Sequence, residues 1–485
     1  MSAKRDTGSA ALRSRLSHPV IDADGHYLEF SPILFDYLKE VGGSHAAEGL
    51  KSMGARVIEN LKLSNDERRK DRRAIEAWWG VPAKNTLDRA TALLPKLLYE
   101  RLDEFGFDFT VLYPTLGLRM PFIPDAESRR VACRAFNRFL ADQFREFSDR
   151  MTPAAVIPMH TPEEAIEELE YAVRTLGLKV VMLQSMVIRS LNPQGGRTSQ
   201  AAGGLWFDVL GIDSEGDYDP VWAKCVELGV APTLHGGSRG MGLRKSPSNF
   251  VYNHIGHFAA ASEATCKALF LGGVTRRFPT LNFAFLEGGV GWACTLYSDL
   301  IGHWKKRNLK ALEEVNPANL DRKLLLDLIT RYAGEEYAAR YATSREVAVA
   351  EGGTATGGLA QLDDYARCEI ANAQDICDLF CRRFYFGCEA DDPVNAWAFD
   401  RRVNPYGAQM KTLLGSDIGH FDVTDMSEVL VEAHELVDHE LINQDQFKEF
   451  VFTNAVRFWG EGNREFFKGT AVESAASEVL GQAAA

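Results

Sequence analysis

Apolar and polar positions along this chain alternate between two patterns. Short runs of β-branched and aromatic residues are followed by longer stretches with helical spacing. Val20–Asp24, Phe109–Tyr113 (closed by Pro114), Ala154–Pro158, Lys179–Leu183, Val230–His235, Asn282–Glu287, Phe384–Gly387 and Thr412–Gly415 read as strands. The helix after the third run has a clear start. Thr161-Pro162-Glu163-Glu164 is a capped, acidic first turn, and Ile166, Leu169 and Val173 supply its apolar stripe. Eight such runs separated mainly by helices predict an α/β chain closed as a (β/α)8 TIM barrel rather than an open sheet.

Three segments exceed what a barrel needs, so long helical insertions are expected. Residues 40–100 hold a charged helical stretch from Asp66 to Trp79. Residues 187–220 are rich in Gly, Ser and Asn and read as a long loop. Residues 303–375 hold a helical insert and the run Glu351–Gly358, a flexible joint. Loops of this length on a barrel serve as lids, substrate walls or oligomer contacts. Residues 1–17 form a polar, basic leader expected to be disordered. The barrel domain spans 18–465, and 466–485 read as a flexible tail that frays from about Ala471.

Composition narrows the partners. The 485 residues are 46% hydrophobic and 25% charged, with a formal net charge of -13, which argues against nucleic acid and anionic membranes as partners. No apolar run reaches transmembrane length, and the leader lacks the apolar core of a secretory signal. The 8 cysteines form no CxxC unit, and Cys377 and Cys381 stand four apart. They are expected to be reduced in a cytoplasmic protein that takes a small-molecule substrate.

The candidate chemistry gathers where strands should end, which is the active face of such a barrel. Asp22, Asp24 and His26 leave the first strand in alternate register, so an extended chain points them the same way, and Glu29 follows. His235 ends the fifth strand beside Gly236-Gly237, Glu287 the sixth beside Gly288-Gly289, and Asp417 the eighth just after Gly415-Ser416. Carboxylates are costly to bury without a cation. The expected cofactor is therefore a divalent metal, one or two ions of zinc, manganese or iron, held by Asp24, His26, His235, Asp417, Glu287, Glu29 and His257. His254 and His257, three apart, share a helical face in this reading. His257 is the candidate proton carrier and His254 a substrate contact. His420, three residues after Asp417, is expected to support it from outside the ligand set. Tyr113, Trp206, Phe250 and Trp292 could line an apolar pocket, with Tyr113 and Trp292 as substrate contacts. His434 and His439 lack zincin spacing and read as surface helix residues.

Four segments carry a resemblance. Ile21-Asp22-Ala23-Asp24-Gly25-His26, His235-Gly236, Phe285 to Trp292 and Leu414 to Asp422 resemble the amidohydrolase-related family. That branch of the amidohydrolase superfamily holds aminocarboxymuconate-semialdehyde decarboxylase and related aromatic-acid decarboxylases. The resemblance covers about residues 18–465 and implies a distorted TIM barrel with a divalent metal at the strand ends. His235 and Asp417 match the family's fifth-strand His and last-strand Asp, and His257 falls where similar chains tend to have His. The family's first-strand pair is often His-x-His, whereas here Asp24 is its first member. Its decarboxylases commonly have a catalytic His where this chain has Glu287. The resemblance also implies a homodimer.

The leading expectation is a metal-dependent hydrolase or decarboxylase of a small organic acid, ester or amide. Asp417 would orient or deprotonate water, His26 and His235 would hold the ion, and Glu287 and His257 would complete the catalytic set. One alternative is a dinuclear non-haem iron monooxygenase acting on a hydrophobic or carrier-bound substrate, favoured by the extra carboxylates Glu29 and Glu287. Another is a non-catalytic scaffold barrel.

Overall fold

The computed structural model describes residues 7–75, 83–191, 204–237, 245–344 and 362–482. In chain order its strands are β1 (Ile21–Tyr27), β2 (Phe109–Pro114), β3 (Met151–Ile157), β4 (Val180–Leu183), β5 (Val187–Ser190), β6 (Leu205–Asp208), β7 (Pro232–Leu234), β8 (Phe283–Phe285), β9 (Phe384–Glu389) and β10 (Lys411–Gly415). All eight expected strands are among them. They form one parallel sheet in the order β1-β2-β3-β4-β7-β8-β9-β10, with helices between, as in a (β/α)8 barrel. Runs such as β2 and β3 are buried along their whole length, as parallel strands covered on both faces must be.

The first and last strands meet through residues singled out above. The Asp417 N–H donates to the Asp24 carbonyl at 3.0 Å, and the His26 N–H donates to the Ile418 carbonyl at 2.9 Å. Barrel closure and the placing of these side chains are therefore one event. The pairing of β1 with β2 is irregular between Asp22 and Gly25, the mark of a bulge, which re-aims side chains. Glycine is needed there, because a Cβ on Gly25 would stand 2.6 Å from Asp22 Oδ2.

The outer helices follow their caps and stripes. Thr161 caps the helix Pro162–Glu170 through the Glu164 N–H at 3.2 Å, as its sequence predicts. Asp125 caps Ala126–Phe144, whose Ala132, Phe136, Phe139 and Leu140 are buried against the barrel.

The insertions differ from expectation in instructive ways. Residues 31–62 form a helix kinked at Gly43, which has φ +72°. Within the charged stretch predicted as helix from Asp66 to Trp79, the described residues are helical over Asn65–Asp71, and Arg72 ends that helix with left-handed backbone at φ 54°. The chain then runs across to another loop, where the Ile75 N–H donates to the Ser246 carbonyl at 3.0 Å. Residues 76–82, with Trp78 and Trp79, lie outside the described residues. The loop expected over 187–220 contains the antiparallel ribbon β5–β6, clamped by Arg189 and Asp208 at 2.6 Å. The insert after residue 303 contains the helices Arg322–Ala333 and Glu335–Thr343, and the Glu351–Gly358 joint lies outside the described residues. The two ends, expected to be disordered and frayed, are helical where described. Gly8–Arg13 buries Leu12 and pairs Arg13 with Asp108 at 2.5 Å. Glu473–Gln482 buries Ala476, Val479 and Leu480, so its apolar spacing outweighs its Ala/Ser-rich composition. No helix among the described residues is long and apolar enough to cross a membrane.

Candidate metal centre

Six side chains from four strand ends converge at the carboxyl face of the barrel. His26 Nε2 and His235 Nε2 face each other at 3.1 Å. Asp24 Oδ1 lies 3.6 Å from the first and 3.3 Å from the second. Asp417 Oδ1 is 3.4 Å from His26 Nε2, and Glu287 Oε2 is 3.4 Å from His235 Nε2. His420 closes the ring, with Nδ1 2.6 Å from Asp417 Oδ1 and 3.7 Å from Glu287 Oε1. Two three-residue groups have ligand atoms close enough to share an ion, Asp24–His26–His235 and His26–Asp417–His420.

Local backbone geometry aims the acids. Glu287 and Asp417 both adopt left-handed backbone, at φ 57° and 48°, each just past its strand. Such conformations cost non-glycine residues energy and persist where the surrounding structure imposes them. Asp22 sits below the cluster and is fully engaged. It accepts from Thr110 Oγ1 at 2.6 Å, Ser416 Oγ at 2.8 Å and the Ser416 N–H at 3.0 Å. It thereby ties β1 to β2 and β10 and holds Asp24 and Asp417 in place.

The electrostatics are those of a site built around a cation. Burial raises the Asp24 carboxyl, against the pull of His235. Burial drives His26 well below the usual imidazole range, helped by His420 and His235, which favours the neutral form that a metal ligand needs. Burial also opposes charge on His235, but Asp24 and Glu287 outweigh it and raise that imidazole. Burial would raise Glu287, yet His420 and the other nearby histidines lower it. His420 is raised well above its ordinary value despite burial, because Asp417 lies against it. Asp24 Oδ1 and Glu287 Oε2 are buried with no hydrogen bond, an expensive condition for a carboxylate in a dry site. Orphaned oxygens aimed at two facing imidazole nitrogens fit a divalent metal and fit little else.

The remaining expected residues fall into three kinds. Glu29 is not brought into the cluster. Its two oxygens accept the Leu116 and Gly117 N–H groups at 3.0 and 2.9 Å, and burial pushes its carboxyl up to about 7. It anchors the turn after β2, the role that a buried acid without a basic neighbour finds in free backbone donors. Of Tyr113 and Trp292, expected to touch substrate, Tyr113 is fully buried and Trp292 is half-buried against the core. Tyr113 is buried under His26 and His235, with ring centroids 6.1 and 5.1 Å away. Trp292 stacks edge-on against Phe285 and Phe386. Their size and apolar faces are better satisfied by core than by cavity. His254 and His257 do reach the site, though not on one continuous helix. Gly256, at φ +69°, separates Phe250–His254 from His257–Leu271, and the two rings come to 5.0 Å.

A cavity of about 660 Å³ opens above the cluster, with Glu287 and His420 on its floor and His254, His257, Phe122 and Phe250 on its sides. The His257 ring fits against Gly237 so closely that a Cβ there would overlap it. Sequence reasoning placed His420 outside the ligand set. In the structure its ring stacks on His26, with centroids 3.8 Å apart, because the turn through Asp417 and Gly419 (φ +95°) folds it back. Its spacing three residues after a strand-end acid was the available signal.

Residues 21–315 match the family model described as Amidohydrolase, and the chain belongs to that family of metal-dependent enzymes. Among solved structures, a dihydroxybenzoic acid decarboxylase from Polaromonas sp. JS666, with bound manganese and the inhibitor 2-nitroresorcinol, aligns with a TM-score of 0.51 at 15% identity. That alignment covers 93% of this chain and 99% of the other. An amidohydrolase from Mycobacterium avium subsp. paratuberculosis K-10 aligns with a TM-score of 0.51 at 16% identity, covering 92% and 100%. These likenesses speak for the fold. Family membership and an intact ring of ligand-type residues together set aside the scaffold reading.

Proposed function

We propose that this protein is a metal-dependent decarboxylase or hydrolase that breaks a bond at the carboxyl or acyl carbon of a small organic acid, ester or amide. The carrying observation is the buried ring of Asp24, His26, His235, Glu287, Asp417 and His420 beneath an aromatic-sided cavity. Asp24, His26, His235 and Asp417 would hold the ion. When bound, a divalent metal supplies Lewis-acid polarisation of a carboxylate or carbonyl and makes a nearby water more acidic. The manganese of the Polaromonas decarboxylase supports the choice of a divalent ion of that kind.

The chain's own groups do the rest. Asp417, whose Oδ1 lies 2.6 Å from His420 Nδ1, accepts or returns a proton, with His420 as its reservoir. His257, on the cavity side, delivers or receives a proton on the substrate's opposite face. Phe122 and Phe250 hold an apolar body and keep water out. Glu287 stands where related decarboxylases commonly have His, so its carboxylate takes the proton-handling place on that strand.

The direct test is release of carbon dioxide or alcohol from hydroxybenzoates and their esters by protein loaded with manganese or zinc. Metal-dependent turnover, lost by about 10³-fold in Asp417→Asn, is the expected result. Equal turnover by chelator-stripped protein would contradict the reading.

One observation favours a second reading. The two ligand groups share His26, and Glu287 reaches both His235 and His420, a layout that suits two ions. Two irons per chain with substrate-dependent oxygen consumption would make the protein an oxygenase.

A further inference from the structure

The cavity wall opposite the barrel is built by the insertion after β1, and its charge runs against that of the whole chain. The formal net charge is -13, yet among the described residues Arg73, Arg119 and Lys245 line this cavity, against the acids Glu287 of the cluster and Asp422. Two of these cations are brought together by a specific seam. The Ile75 N–H donates to the Ser246 carbonyl at 3.0 Å, and Asn253 Nδ2 bridges the Ile75 carbonyl at 3.1 Å and the Ser246 carbonyl at 2.8 Å. Asn60 Nδ2 holds the Ala74 carbonyl at 3.2 Å. Buried Arg68 locks the seam, donating to the Pro247 carbonyl at 2.8 Å and the Asn60 carbonyl at 3.0 Å. Arg73 and Lys245 thus flank one seam, each within two residues of the Ile75–Ser246 bond.

The partner of Arg73 within the chain is weak. Its ion pair with Asp71 spans 3.2 Å, and both side chains are more than half exposed (54% and 57%), so the guanidinium can exchange it for a ligand at little cost. A guanidinium fork and an ammonium lining the same cavity are the groups that recognise a carboxylate, by bidentate hydrogen bonding and by charge. Ile75, Leu118, Phe122 and Phe258 give the same cavity apolar lining. A cavity of about 660 Å³ is ample for an extended ligand.

We infer that the substrate is a dianion: one carboxyl group acted on at the metal centre, an apolar and preferably aromatic body, and a second carboxylate held by Arg73 and Lys245. This rests on the metal-centre reading above and adds the far end of the substrate to it.

The test compares two probes of the same body, biphenyl-4,4′-dicarboxylate and 4-phenylbenzoate. Binding to metal-loaded, full-length protein is measured by calorimetry, and metal content is measured alongside. The dicarboxylate should bind about tenfold tighter or more, the gain of one charge-assisted contact. Arg73→Gln/Lys245→Gln should abolish that preference while leaving 4-phenylbenzoate affinity and metal content unchanged. Equal affinities in the parent protein, a preference that survives the double substitution, or no binding of either probe would each overturn the inference. Failure of the metal-centre reading shows separately, as a parent protein that takes up no metal.

Discussion

The two walls of the cavity are made by different means. The floor comes from strand ends whose residues are close in sequence to regular β structure. Asp24 and His26 lie within β1, while His235, Glu287 and Asp417 follow β7, β8 and β10 within two residues. The roof comes from an insertion stitched to a distant loop, with Arg68 bonding a carbonyl 179 positions away. The floor is rigid because closing the barrel and placing the ligands use the same backbone bonds. The roof depends on a few side-chain bonds and can vary without unmaking the fold. Chemistry is therefore fixed by the barrel, and substrate choice by what is laid over it.

Disturbing the two walls should have effects of different kind and size. Beyond the ligand-ring residues themselves, the largest is expected at Gly237→Ala, where a new Cβ would displace the His257 ring. Turnover should fall by about 100-fold with metal content unchanged, as for loss of a proton-transfer group. Unchanged kinetics would remove His257 from the mechanism. Next comes Glu29→Ala, which strips two backbone donors of their buried acceptor. A stability loss of about 2 kcal/mol, read from denaturant midpoints, is expected with full metal occupancy. Loss of an ion instead would restore Glu29 as a ligand. The smallest is Arg68→Ala in the roof. It should raise KM by about tenfold and leave kcat within a factor of about two, the signature of lost ground-state binding. An equal fall in kcat would show that the roof takes part in the chemistry.

The same contrast explains what could be read in advance. Eight strands were legible because buried parallel strands are short, apolar and β-branched, and the acids and histidines at their ends stood out beside glycines. His420 was underrated because sequence spacing does not reveal that Asp417 and Gly419 take left-handed backbone and fold the ring onto His26. Tyr113 and Trp292 were misplaced because an aromatic near a strand end suits core and cavity equally until packing decides. His254 and His257 were put on one helical face, which Gly256 breaks. Glu29 looked like a ligand because a sequence carries no sign of free backbone N–H groups at Leu116 and Gly117. The 40–100 insertion stood out as a possible wall, but the seam that joins it to the Ser246 loop had no signature. Arg73 and Lys245 come to line one cavity through bonds between segments far apart in the chain, and the Gly/Ser/Asn-rich composition of 187–220 hid the β5–β6 ribbon between its ends.

The most direct test of the metal centre is elemental analysis of the protein after purification without added metal and dialysis against manganese or zinc, alongside Asp24→Ala and Asp417→Ala. The parent should hold about one ion per chain, or two if both ligand groups fill. Each variant should lose more affinity than the roughly 100-fold that removal of an outer partner costs. Full occupancy in either variant, or no metal in the parent, would contradict the account.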